Sequence, residues 1–256
     1  MASFVTGRFK RALKEGKTTF GIWITIASPD VTEALSRVGF DWFVMDMEHA
    51  PLGISEVEGL IRPMNGSNTS PLVRVAWNDP VLIKLALDTG AEGVLIPWVN
   101  SKEDAERAVR ACRYPPDGVR GVGPRRASVY WLDETYTKRA NEELAVVVQI
   151  ETEKAIKNMR DILSVEGVDA FFVGPYDLSF SLGVPGEFES DTFKDAMAEI
   201  VEVMNETGKP GGIWADGAEE AVKRVKQGFK FVAISADILL LVKTAKAILE
   251  GIKAGI

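Results

Sequence analysis

The chain has one cysteine, Cys112, and one histidine, His49, among 256 residues. A lone thiol excludes an internal disulfide and a Cys-rich zinc site and fits a reducing cytosol; Cys112 itself reads as a small apolar residue at the end of a helix. Positive charge is in deficit, with a formal net charge of -7 and a pI near 5.0. That argues against a cationic surface that grips nucleic acid or anionic lipid. No apolar run is long enough to span a bilayer, and the scattered bases Arg8, Lys10, Arg11, Lys14 and Lys17 precede no apolar core of a signal peptide. The expectation is a soluble cytoplasmic protein with no nucleic-acid and no membrane partner. Low-complexity blocks are missing too, so residues 1–256 are read as one domain with a sizeable core.

What is present is a rhythm. Short apolar, β-branched runs alternate with longer segments of helical period, the βα signature of a parallel sheet. Eight strands are expected at Phe20 to Ile26, Trp42 to Met45, Leu72 to Val75, Gly93 to Pro97, Ala145 to Ile150, Ala170 to Val173, Gly211 to Trp214 and Phe231 to Ile234. Helix starts fall between them: Ser28 before Pro29, Asp79 before Pro80, Ser101 with Asp104 as a capping box, and Asp216 with Glu219 as a similar pair. Eight βα units in this length favour an α/β fold of the (β/α)8 TIM-barrel type over an open doubly wound sheet, and no Gly-x-Gly-x-x-Gly turn follows the first strand.

Two segments break the rhythm. Arg113 to Glu142 is far longer than a usual connection, and its Pro115-Pro116 and Gly118, Gly121 and Gly123 argue against a regular element before Tyr130. A lid, a binding loop or a subunit contact would each explain it. The last helix holds the unbroken apolar run Ile238 to Val242, which must be covered on every side. Another subunit would do that, as would a tight fit within the chain; a homo-oligomer is the favoured reading.

In such a barrel the chemistry sits at the carboxyl ends of the strands. Those positions hold Asp46 and His49 after strand two, Arg74 at strand three, Glu151 at strand five and Asp177 after strand six. Arg74 lies among valines and needs an anionic partner. Glu151 ends the buried run Val146-Val147-Val148-Gln149-Ile150, where a carboxylate must be paired or bound to a metal. Glu151 and Asp177 fall side by side on neighbouring strands; two hard oxygen ligands suit Mg2+, Mn2+ or a similar divalent ion, while pairing of each acid with a local arginine stands as the alternative. Asp46, three residues before His49, is placed to hold one ring nitrogen and fix its tautomer. Lysine is absent from this end: Lys17, Lys209 and Lys230 precede strands one, seven and eight, which ranks metal chemistry above imine chemistry.

The segments Asp46-Met47-Glu48-His49-Ala50-Pro51-Leu52, Leu72-Val73-Arg74-Val75, Arg113 through Gly123, Gln149-Ile150-Glu151-Thr152 and Gly174-Pro175-Tyr176-Asp177-Leu178-Ser179 together resemble the HpcH/HpaI aldolase family, over about Gly21 to Asp237. The resemblance implies a class II, metal-dependent aldolase with pyruvate as nucleophile, cleaving a 4-hydroxy-2-oxo acid of the 2-keto-3-deoxy type to pyruvate and an aldehyde. It implies Glu151 and Asp177 as the metal's carboxylates, with Mg2+, Mn2+ or Co2+ as the ion, and Arg74 as the arginine that neutralises the enolate oxygen. It implies His49, held by Asp46, as the base on the aldol hydroxyl, backbone N–H groups of Gly174 and Asp177 for the pyruvate carboxylate, and Gln149 as a polar neighbour. Asp88 matches a family acid yet falls at the wrong end of its own barrel. The hexamer with exchanged last helices that the resemblance implies would let it serve a neighbour's site. Oxaloacetate decarboxylation is implied as a side activity. Tyr176 stands where the family often has a smaller residue, and Arg125 and Arg126 in the long loop would either favour an acidic acceptor or, for at least one of them, be solvated surface charge. A lyase of the citrate lyase β-subunit type acting on a CoA thioester, and a non-catalytic barrel, are the alternatives; the short chain argues against the first and the intact polar set against the second.

Overall fold

The computed structural model describes residues 3–256. Eight parallel strands close into a barrel in sequence order: β1 (Thr19–Ile24), β2 (Trp42–Asp46), β3 (Ser70–Arg74), β4 (Gly93–Ile96), β5 (Ala145–Ile150), β6 (Ala170–Val173), β7 (Gly211–Trp214) and β8 (Phe231–Ala236). The helices are α1 (Arg8–Lys14), α2 (Pro29–Ser36), α3 (Ile54–Ile61), α4 (Pro80–Asp88), α5 (Lys102–Cys112), α6 (Tyr136–Glu143), α7 (Glu153–Lys157), α8 (Met159–Ser164), α9 (Pro175–Ser181), α10 (Asp191–Thr207), α11 (Ala218–Lys226) and α12 (Asp237–Ala254).

Strand alternation divides the core in two. Trp42, Val44, Leu72, Leu95, Val147, Phe172 and Phe231 fill the barrel interior, while Phe43, Met45, Val73, Val94, Val148, Phe171 and Val232 face the helices. Both faces of nearly all the strands are therefore covered, with Phe20 of β1 exposed, and the strands read as continuous apolar runs for that reason. Glycine makes room for the largest interior rings: a Cβ on Gly21 would run into the Trp42 ring, and one on Gly212 into the Phe231 ring. Helix α1 closes the end at which the strands begin, its Phe9 packed edge-on against Trp42 at 6.1 Å and Phe231 at 5.6 Å. At the opposite end, where the strands finish, the interior opens into a cavity.

Capping follows the sequence at α4 and α5. Asp79 accepts from the N–H groups of Val81 and Leu82, and Ser101 accepts from Asp104. The reciprocal half differs slightly, since the Asp104 carboxylate takes the Asn100 N–H. Ser28 does precede α2, without a side-chain cap. The pair expected at Asp216 and Glu219 is not formed: Gly217, at φ 103°, occupies the cap position of α11, and Asp216 is drawn to Lys243 instead. The long segment after α5 has no regular element until α6 begins at Tyr136. Cys112 closes α5 inside the core, where burial pushes its thiol up to about 12.

Helix α12 departs from the packing of the rest. Only Asp237, at its start, is buried; Ile238, Leu239, Leu240, Leu241, Val242, Ile248, Leu249 and Ile252 are all exposed within the chain. The Asp237 carboxylate anchors that start, accepting from the N–H groups of Thr25 and Ile26 and from the Thr25 hydroxyl. Among the described residues no helix is long and apolar enough to cross a membrane.

Candidate active site

Register brings the first pair together. Asp46 and Arg74 are direct neighbours at the ends of β2 and β3, and their side chains form a two-pronged ion pair, Nε to Oδ1 at 2.9 Å and Nη2 to Oδ2 at 2.8 Å. The third guanidinium nitrogen, Nη1, lies 3.1 Å from Glu48 Oε2. The Arg74 Cζ also lies over the Trp23 ring of β1, 4.1 Å from its centroid. A planar fork saturated on two sides and backed by an aromatic ring has little rotational freedom left.

The sequence reading placed the Asp46 carboxylate on the His49 ring, and here the structure corrects it. Asp46 Oδ1 accepts from the backbone N–H groups of Glu48 at 3.0 Å and His49 at 3.3 Å, bracing the turn after β2, while its remaining capacity goes to Arg74. The acid beside the ring is Glu48, with Oε2 at 3.9 Å from Nε2, and the ring itself is largely exposed. Glu48 carried no role in the sequence reading. Once β2 ends, side chains no longer alternate, so nothing in the spacing of Asp46 to His49 showed which of the acids turns inward.

Glu151 follows β5 and is almost completely buried. Its Oε1 accepts from the Trp98 N–H at 2.7 Å, and its Oε2 from the Gln149 side-chain amide. Trp98 adopts φ 56°, a left-handed conformation that costs a non-glycine residue energy and here directs its N–H at the acid. Burial pushes Glu151 up to about 7, the Trp98 N–H opposes this, and the nearby charges of Glu48 and Asp177 add to it. Glu48 is likewise pushed up to about 7, by burial first, with Arg74 opposing and Asp46 and Asp177 adding. Asp177 lies in the first turn of α9.

The donor set fits a cation. A Cβ placed on Gly174 would sit 3.2 Å from Glu151 Oε2 and 3.6 Å from Asp177 Oδ2, so a bare glycine backbone keeps the space between two carboxylates clear. Neighbouring negative charge that raises the proton affinity of Glu48 and Glu151 is what a divalent ion relieves. Among the described residues no group of three or more His, Cys, Asp or Glu side chains converges as a ready-made centre.

The other expected residues fall apart from this cluster. Asp88 ends α4 at the far end of the barrel, where it accepts from Arg120 Nη2 at 2.6 Å and burial raises its pKa. Arg125 pairs with Glu58, and Arg126 is buried with its guanidinium on the Thr89 carbonyl and Asn65. Neither arginine reaches the strand ends of its own barrel. The cavity over the strand ends holds about 240 Å³ and is lined by Trp23, Thr25, Asp46, His49, Arg74, Gln149, Phe172, Gly174, Pro175, Tyr176, Asp177, Trp214 and Ala236. A wider groove of about 1100 Å³ between α10 and α11 adjoins it through Pro175, Tyr176 and Trp214.

A closed parallel barrel that gathers acids and a braced arginine at its strand ends presents a polar face where (β/α)8 enzymes carry their chemistry. The HpcH/HpaI aldolase/citrate lyase family model matches residues 19–244. The chain is 40% identical over 242 residues to a 4-hydroxy-2-oxo-heptane-1,7-dioate aldolase of Escherichia coli, covering 94% of this chain and 92% of that protein. It is 39% identical over 241 residues to a hydroxypyruvate/pyruvate aldolase of Sagittula stellata, covering 94% and 95%. A crystal structure of an HpcH/HpaI aldolase/citrate lyase family protein from Burkholderia cenocepacia superposes with a TM-score of 0.93 at 33% identity, covering 97% of this chain and all of that one. The chain belongs to the HpcH/HpaI aldolase/citrate lyase family.

Proposed function

We propose that this chain forms pyruvate by aldol cleavage of a 4-hydroxy-2-oxo acid, with Glu151 and Asp177 as carboxylate ligands of a divalent ion, Mg2+ or Mn2+ in the first instance and Co2+ as a further candidate. The observation that carries the reading is the pair of carboxylates facing one another across bare Gly174, beside a guanidinium that two acids hold in place. When bound, such an ion supplies Lewis-acid polarisation of the 2-oxo group and a template for the pyruvyl oxygens. Gln149, whose amide holds Glu151, keeps one carboxylate in register. Backbone N–H groups at Gly174 and Asp177 are offered to the pyruvate carboxylate.

Arg74 is assigned to the oxygen on which negative charge develops as the carbon–carbon bond breaks. A preorganised donor of this kind acts most strongly in the transition state and costs no reorganisation. His49 is assigned to the hydroxyl of the aldehyde half, taking its proton during cleavage, with Glu48 as the nearer acid and Asp46 fixing the turn that presents the ring. This division of labour predicts that His49→Ala lowers aldol cleavage at least about a hundredfold while oxaloacetate decarboxylation, which has no such hydroxyl, falls far less. Equal losses in both reactions would contradict it.

The exposed apolar α12 supports a homo-oligomer, by the family resemblance a hexamer in which last helices are exchanged. Asp88 would then serve a neighbour's site. In keeping with this, the double variant Leu241→Glu/Leu249→Glu is expected to yield monomers in light scattering at concentrations where the unmodified chain is larger. An unmodified chain of monomer mass would overturn the assembly. The reaction itself is tested by pyruvate release from a 4-hydroxy-2-oxo acid: release is expected with Mg2+ or Mn2+, and full activity after exhaustive EDTA treatment would refute the role of the ion.

A further inference from the structure

We propose that Trp98 is a positioning residue for the divalent ion: its left-handed backbone, locked by Asn100, holds Glu151 by one carboxylate oxygen and leaves the other turned toward Asp177. The inference rests on the reading of Glu151 and Asp177 as metal carboxylates and adds to it the segment that keeps the first of them in place.

The turn between β4 and α5 runs from Pro97 to Ser101. At Trp98, φ is 56°, a conformation that a residue with a Cβ adopts at a cost and keeps only where its surroundings leave no alternative. The surroundings here do so. Val99, next along, is wholly buried in the core. Asn100 is held at four points. Its side-chain amide donates to the Trp98 carbonyl at 3.2 Å, and its backbone N–H donates to Asp104 Oδ2 at 3.0 Å. Its carbonyl accepts from Asn158 Nδ2 at 2.8 Å, and its Oδ1 accepts from the Thr152 hydroxyl. Thr152 directly follows Glu151, so the turn is tied both to the acid and to the residue after it.

The strained turn delivers one hydrogen bond to the site. The Trp98 N–H meets Glu151 Oε1 at 2.7 Å, a short bond of the charge-assisted kind. With Val99 and Asn100 fixed, a change of φ at Trp98 swings that N–H out of line with the acid. Oε2 is the oxygen that faces the other carboxylate: a Cβ on Gly174 would lie 3.2 Å from it and 3.6 Å from Asp177 Oδ2. Holding Oε1 stops the buried carboxylate from turning, so Oε2 is presented before the ion arrives. The indole is not needed for this. It is 43% exposed and packs on Trp77, 5.9 Å between ring centroids; the site draws on the backbone of residue 98 and not on its ring.

The test is a matched pair of substitutions, Trp98→Asn and Trp98→Val, which discard the same indole and differ in backbone preference. Asparagine enters the left-handed region readily, whereas valine, branched at Cβ, is strongly disfavoured there. Mn2+ binding to the EDTA-treated full-length protein is measured by isothermal titration calorimetry with no substrate present. Trp98→Asn is expected to bind within about threefold of the unmodified chain and Trp98→Val about tenfold or more weaker, the loss that follows removal of a hydrogen bond to a metal ligand. Asn100→Ala, which frees the turn and touches neither acid, should weaken binding severalfold, and it carries the test if Trp98→Val does not fold. Equal affinities for Trp98→Asn and Trp98→Val would overturn the inference, whether both match the unmodified chain or both fall. So would unchanged affinity in Asn100→Ala. Glu151→Gln separates the two levels. If it binds Mn2+ as the unmodified chain does, the ligand reading fails and takes the inference with it; if it loses the ion while the two Trp98 variants stay equal, the positioning inference alone fails.

Discussion

Arg74→Lys should lower kcat/KM for aldol cleavage by about a hundredfold to a thousandfold, the loss expected when a preorganised donor to a developing oxyanion is removed. Lysine keeps the charge but not the fork. In the native chain one guanidinium meets both Asp46 oxygens and Glu48 Oε2 while its Cζ lies over the Trp23 ring; an ammonium on a flexible stem cannot hold all three contacts. The same variant should lose stability, because acids buried around Arg74 keep only part of their compensation, and full removal in Arg74→Ala should cost about 3–5 kcal/mol as for other broken buried ion pairs. Steady-state kinetics together with thermal unfolding separate the effects. A folded Arg74→Lys enzyme within about twofold of the unmodified rate would refute the assignment of Arg74 to the transition state.

A second large effect joins metal, pH and stability. Glu48 and Glu151 are pushed up from 4.5 to about 7 in the folded chain. The folded state therefore binds more protons than the unfolded state between those values. By linkage, their contribution to stability is fully present below about pH 4.5 and is lost as pH rises through about 7. A divalent ion competes with the proton for the Glu151 oxygens, so its binding strengthens over the same rise. The expected outcome is that Mn2+ raises the unfolding temperature of EDTA-treated protein little at about pH 5.5 and by several degrees at about pH 8. Glu151→Gln should abolish that difference. A metal-induced shift that is independent of pH, or that survives in Glu151→Gln, would contradict the ligand assignment.

Most of the barrel was legible in the sequence because a strand covered on both faces is a continuous apolar run, and each of the eight runs became a strand within about two residues of its expected ends. The errors lie where chain direction, not composition, decides. β8 continues to Ala236 through Ser235, which composition would have ended at Ile234, and the Asp216/Glu219 pattern lost its cap to the left-handed Gly217.

The site was legible as a set of residue types at strand ends and illegible as a set of contacts. Asp46 and Arg74 are far apart in sequence and meet only through strand register. Glu48 entered the cluster unannounced because the chain after β2 has left the strand. Trp98 acts through its backbone N–H in an uncommon conformation, which no side-chain pattern reveals. Arg125 and Arg126 left two readings open, an anion contact or solvated surface charge: Arg125 is an exposed partner of Glu58, and Arg126 is buried on the Thr89 carbonyl.

The central claim, that this chain makes a pyruvate enolate on the platform of Glu151, Asp177 and Arg74, is tested most directly by following the methyl protons of pyruvate by NMR in D2O with no aldehyde present. Exchange should require added Mg2+ or Mn2+, disappear in Glu151→Gln, fall sharply in Arg74→Lys and persist in His49→Ala. Exchange that proceeds undiminished in Glu151→Gln, or without any divalent ion, would contradict the account.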